Sequence, residues 1–144
     1  MRAPHHHPSR PRQARGSHVL VVALDGVIPA ELPRATVLVV APALNSWLRH
    51  WLSDEDEARR RAHERMTAWV DELERRGVRV AGRVGDADPL QAIADALSTF
   101  RADEIVIAGQ RERPARRVDD LVSRARDRFA LPTLRTGRAI PHAA

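Results

Sequence analysis

The sequence predicts an α/β domain: a doubly wound, mostly parallel sheet of about five strands, with helices packed on it. Three observations lead there. Short continuous apolar runs of strand length end at turn residues. Amphipathic stretches of helical period, with start and stop signals, lie between them. The two kinds of segment alternate along the chain, which is the pattern of βαβ units.

Val19–Leu24 is an uninterrupted apolar run closed by Asp25-Gly26, as expected of a strand buried on both faces. Thr36–Ala41 is a second, stopped by Pro42. The two are separated only by Asp25–Ala35, with Pro29 and Pro33 inside it. A helical crossover between parallel strands usually needs about a dozen residues or more. Either this first crossover is abbreviated, with at most one helical turn near Pro29–Leu32, or the two strands pair unlike the others. We take it as abbreviated, an arrangement that would uncover one face of the sheet unless something else closes it.

A long helix is expected from Ser53, whose hydroxyl and the following Asp54, Glu55 and Asp56 suit a helix N-terminus, to Arg75 and Arg76 before Gly77. Ala58, Ala62, Met66, Trp69 and Leu73 fall on one face. Glu55/Arg59, Asp56/Arg60, Glu57/Arg61 and Glu72/Arg76 form acid-first pairs on the other. Val78–Val84 alternates and reads as a strand near an edge. Asp88-Pro89 opens the next helix, with Leu90, Ile93, Ala94 and Leu97 inward. Glu104–Ala108 is another buried strand, ending in Gly109. A helix from about Val118 to Phe129 turns Leu121, Val122, Ala125 and Phe129 inward, and a short last strand surrounds Thr133–Arg135.

The 144 residues include 43% hydrophobic side chains, enough for one core. All 24 basic residues are Arg, a usage expected of a high-G+C genome. Four of these Arg (Arg2, Arg10, Arg12, Arg15) precede Ser17, leaving 20 Arg against 19 acids, so the net charge of +5 belongs largely to the N-terminal stretch. With aromatic residues at 3% and the charges in mixed-sign helix faces, a dedicated nucleic-acid-binding domain is not expected. Residues 1–17 and 137–144 are expected to be disordered tails, the first touching phosphates weakly and without sequence preference. The absence of Cys excludes disulfides, thiolate metal sites and cysteine nucleophiles. No apolar run approaches the length of a membrane span, and the first 17 residues lack the apolar stretch of a secretory signal, so a cytoplasmic location is expected.

Ala23-Leu24-Asp25-Gly26, then Val39-Val40-Ala41-Pro42, the long charged helix, Gly85-Asp86-Ala87-Asp88-Pro89-Leu90, and Ala102–Gly109 follow one another in an order that resembles the universal stress protein family over residues 18–136. The resemblance implies a Rossmann-like sheet in the order 3-2-1-4-5, a homodimer or a protein partner, and in one branch an ATP or other adenine-nucleotide site at the carboxyl edge. In open α/β sheets ligands bind outside the carboxyl ends of the strands, where strand order reverses. On that basis Asp25 and Gly109 flank the crevice. Asp25 would accept from a ribose hydroxyl, and backbone groups near Val39 and Val40 would read an adenine edge. A plain Asp-Gly turn is an equally weighted reading of Asp25-Gly26.

The phosphate element departs from the family. ATP-binding members share a loop of Gly, two residues, Gly, nine residues, Gly and Ser or Thr, in which glycines let backbone amides approach phosphate. Here Gly109 and Ser123 match, but Glu112 and Val122 replace the two inner glycines. Arg111, Arg113, Arg116 and Arg117 would have to compensate as point charges from a solvated loop. A non-catalytic regulatory or interaction role with a degenerate nucleotide site is therefore expected, the alternative being an ATP-binding, weakly hydrolysing stress-response protein. Other constellations are bland. His5-His6-His7 lacks supporting carboxylates, and His63-Glu64 lacks the second His of a zinc-protease helix. Asp86 and Asp88 read as turn and cap, and Ser46, Ser53, Ser98 and Ser123 have no nucleophile-elbow setting. Trp47 and Trp51 are expected in the core, or as part of a lid on a ligand.

Overall fold

The computed structural model describes residues 17–30, 32, 35–44, 55–109 and 115–136. The tails, Arg111 to Arg113, the His5–His7 run, Trp47, Trp51 and Ser53 lie outside the described residues. The elements run β1 (His18–Ala23), β2 (Thr36–Pro42), α1 (Glu55–Arg75), β3 (Arg79–Gly85), α2 (Pro89–Leu97), β4 (Glu104–Ala108), α3 (Ala115–Phe129) and β5 (Thr133–Thr136). The five strands form one sheet in the order β3-β2-β1-β4-β5, and every pairing is parallel.

The central strands are solid apolar runs because both of their faces are covered. Alternate residues go to opposite faces: Leu20, Val22, Leu38, Val40, Ile105 and Ile107 meet α2 and α3. Val19, Val21, Ala23, Val37, Val39, Val106 and Ala108 meet α1 and the β1–β2 connection. β3, at the edge, alternates between exposed and partly buried over Arg79–Gly82 and is partly buried from there to Gly85.

α1 buries the expected stripe of Ala58, Ala62, Trp69 and Leu73, with Met66 partly buried beside Ala62. Gly82 of β3 leaves room for that helix: a Cβ there would lie 2.5 Å from Met66 Sδ. Glu57/Arg61 and Glu72/Arg76 form as ion pairs at 3.5 Å and 2.8 Å. The helix ends on Gly77 at φ +82°, where the Val78 amide donates back to Leu73 O and the Gly77 amide to Glu74 O, the hydrogen bonding of a Schellman stop. α2 starts as read: the Asp88 carboxylate accepts from the Leu90 amide, with Pro89 at the first helical position.

β1 and β2 are parallel neighbours, so the first crossover is the abbreviated one. No helical turn forms among its described residues; the turn expected near Pro29–Leu32 includes Glu31, which lies outside them. The sheet beneath is nevertheless closed, with Val19, Val21, Val106 and Ala108 at most 2% exposed, because Ile28, Leu32 and Ala35 fold down onto it. Three side-chain hydrogen bonds, from α1 and from Arg76 just beyond its end, hold this connection. Trp69 Nε1 donates to Asp25 O at 2.9 Å, and Arg76 donates to Pro29 O and Ala30 O at 2.9 Å and 3.3 Å. α1 thus does part of the work of the missing helix.

α3 begins at Ala115, three residues ahead of its apolar stripe, so Arg117 belongs to a helix and not to a loop. Ala and Arg are strong helix formers and carry the helix past the point where core contacts begin. Among the described residues no helix is long and apolar enough to cross a membrane.

Candidate functional site

The parallel strands all end at one edge, and their last residues form the floor of whatever lies there. Leu24 continues β1, its amide donating to Ala108 O at 2.9 Å. The Ala43 amide donates to Gly85 O at 3.0 Å, joining the ends of β2 and β3. On the α1 side, Arg65 crosses from β1 to β2: its Nε donates to Ala23 O at 2.9 Å and its terminal nitrogen to Pro42 O at 2.5 Å. A half-buried guanidinium thereby bridges carbonyls at the ends of two strands, of which Pro42 O also accepts from the Leu44 amide at 2.8 Å.

On the opposite side a crevice of about 800 Å³ opens between the start of α2 and the first half of α3. Leu24 and Leu44 come from the strand ends, Ala87 to Leu90 from α2 and its approach, and Arg117, Val118, Asp120, Leu121 and Arg124 from α3. It lies beside β1, the strand from which the order runs outward in both directions. Two glycines, neither in the crevice lining itself, allow close packing at the strand ends. A Cβ on Gly109 would come within 3.1 Å of Leu24, and one on Gly85 within 2.7 Å of the Ala92 Cβ, so both let neighbouring elements close in. A second, smaller hollow of about 420 Å³ lies over the end of β3, between the first turn of α1 and α2, and is lined by Glu55, Arg59, Arg83, Asp86 and Asp95 among others.

The residues expected at a nucleotide site are only partly brought together. Asp25 makes the turn: its carboxylate accepts from the Val27 amide at 2.9 Å and its carbonyl from Trp69, and Leu24, one residue earlier, lines the crevice. Val39 and Val40 are fully buried inside β2, with parallel partners on both sides; the strand's free end lies further on, at Pro42. Gly109 lies against Leu24 but outside the crevice lining. Val122 is in the core under α3, and Ser123 is an exposed residue in the helix interior, outside the crevice lining. Amides inside a helix are bonded to carbonyls one turn back, so this pair offers no amide to a phosphate. Arg111 and Arg113 lie outside the described residues.

Asp86 and Asp88 behave as the turn and cap that the sequence indicates, the Asp86 carboxylate accepting from the Asp88 amide at 2.8 Å. No group of three or more His, Asp or Glu is placed to hold a metal ion among the described residues. Sequence reasoning missed Arg65, the hydrogen-bonding role of Trp69 and the crevice position of Arg117. For Arg65 a signal existed. It stands three residues after Ala62 and four before Trp69, on the flank of the buried stripe, where a long side chain reaches the sheet edge.

The fold and crevice define a class: an all-parallel α/β protein with a ligand-sized opening at the carboxyl edge of its sheet. Neither a family model nor a curated protein matches the chain.

Proposed function

We propose that this protein is a non-catalytic, cytoplasmic regulator of universal stress type, whose carboxyl-edge crevice takes a small ligand other than ATP and which acts on a partner protein or a second copy of itself. The observation that carries this reading is the crevice beside β1 in a sheet of order 3-2-1-4-5. The degeneracy of the phosphate element supports the exclusion of ATP: Val122 faces the core and Ser123 lies mid-helix, so the glycine-rich cradle has no counterpart at those positions. The open side of edge strand β5, where Leu134 is 50% exposed, is the surface we assign to a partner.

A thermal-shift titration of the full chain with ATP, ADP and AMP, each with and without magnesium, tests the reading, because ligands that bind only the native state raise its apparent stability. No shift in a cooperatively melting protein is expected. A saturable rise with ATP would establish the alternative, a nucleotide-binding stress protein. Reverting Val122 to Gly is a poor version of this test, since it empties a core position as well as altering the loop frame.

A further inference from the structure

Resting on that reading of the crevice, we infer that its ligand is an amphipathic organic acid: one carboxylate or similar single anion on an apolar body. The charges around the opening decide this. Asp88 is committed to the Leu90 amide, and Asp120 is paired with Arg124 at 3.1 Å. Arg117 is left, exposed on the first turn of α3, as the one charged group of the lining without a partner among the described residues.

The helix ends point the same way. α2 directs its N-terminus at the crevice with Asp88 already offsetting the positive end, whereas α3 has no acid in its first turn. One free guanidinium matches a single negative charge, and the multiple charges of a triphosphate would go largely unanswered. The rest of the lining is apolar: Leu24, Leu44, Pro89, Leu90, Val118 and Leu121. Such walls stabilise a hydrocarbon or aromatic body by removing it from water, and provide few neutral hydrogen-bonding groups for the edge of a base.

The test uses the full chain and three probes: octanoate, octanol of the same chain length without the charge, and AMP. Isothermal titration calorimetry is expected to show saturable octanoate binding, with octanol about tenfold weaker, the value of one charge-assisted contact. Arg117→Gln, at an exposed position that leaves the core intact, is expected to bring octanoate down to the octanol level. Arg101→Gln, exposed just ahead of β4 at the opposite edge of the sheet, is expected to change nothing. Equal binding of octanoate and octanol would overturn the proposal, as would unchanged octanoate binding in Arg117→Gln or saturable binding of AMP. Failure of octanoate to bind, with ATP also silent, overturns the amphipathic acid alone. Binding of ATP overturns the preceding reading instead.

Discussion

On one face of the sheet two helices, α2 and α3, cover Leu20, Val22, Val40, Ile105 and Ile107 with Ile93, Ala96, Val118 and Ala125, all nearly or fully buried. On the other, a single helix and a connection whose described residues form no helix or strand cover Val19, Val21, Val39 and Val106 just as completely. The first face is closed by side chains interlocking along regular elements, each helix carrying its own backbone hydrogen bonds. The second relies on a segment whose described residues have no such ladder. Its Asp25, Pro29 and Ala30 carbonyls are satisfied from outside, by Trp69 of α1 and by Arg76 just after that helix. A sheet face can therefore be sealed without its crossover helix when a neighbouring helix supplies both the apolar anchor and the polar pins.

The largest expected effect is at Trp69, where anchor and pin are one side chain. Trp69→Ala should cost about 3–5 kcal/mol, measured by urea denaturation, comparable to the about 2–5 kcal/mol of Ile93→Ala on the opposite face. The two should differ in hydrogen exchange. Trp69→Phe, which keeps a ring and removes the donor to Asp25 O, should cost about 1 kcal/mol and speed exchange at Val27 and Ile28, while Ile93→Ala leaves those amides to follow global stability. If Ile93→Ala loosens the connection equally, the two faces do not open independently.

Arg76→Gln should have a smaller effect, about 0.5–1 kcal/mol, because the side chain is partly solvated, yet its local signature should be sharper: faster exchange confined to residues near Ala30. The smallest effect is that of pH. Arg76's hydrogen bond holds the Glu72 carboxyl below the usual carboxylate range; partial burial opposes this, and the charges of Arg75 and Arg76 add to the lowering. A lowered folded-state pKa means that the contribution of the pair is present above the ordinary glutamate range and is lost as pH falls through the lowered value. Acidification should therefore free Arg76 and loosen the connection, and Glu72→Gln should remove this pH dependence of exchange near Ala30 without changing that of α2 and α3.

The helix-covered face was readable because its devices are local. Asp88-Pro89 is a cap and a first helical residue within two positions, and the stripe of Leu90, Ile93 and Leu97 is a period within one element. The stop at Gly77 was equally legible, since a glycine following Arg75 and Arg76 marks a left-handed helix end. The start of α3 was placed late because the apolar stripe begins at Val118, whereas the helix runs back to Ala115. That difference moved Arg117 from a solvated loop into the wall of the crevice. Asp25-Gly26 supported two readings, and the structure shows the turn geometry through the Val27 amide, with Trp69 holding the carbonyl.

Alternation, caps and periodicity by themselves determined the element order, the all-parallel tendency and most of the core, since each depends on neighbours within one or two turns of chain; in α2 they turned Ala94 inward, where the structure buries Ala92 and Ala96. Only the tertiary structure decided how the helix-free crossover is held, which strand ends Arg65 joins and which charges around the crevice are already matched. In the first two cases a side chain meets a backbone carbonyl 23 to 47 residues away. A carbonyl is common to every residue, so no residue type in the sequence marks the acceptor, and only folding brings donor and acceptor together.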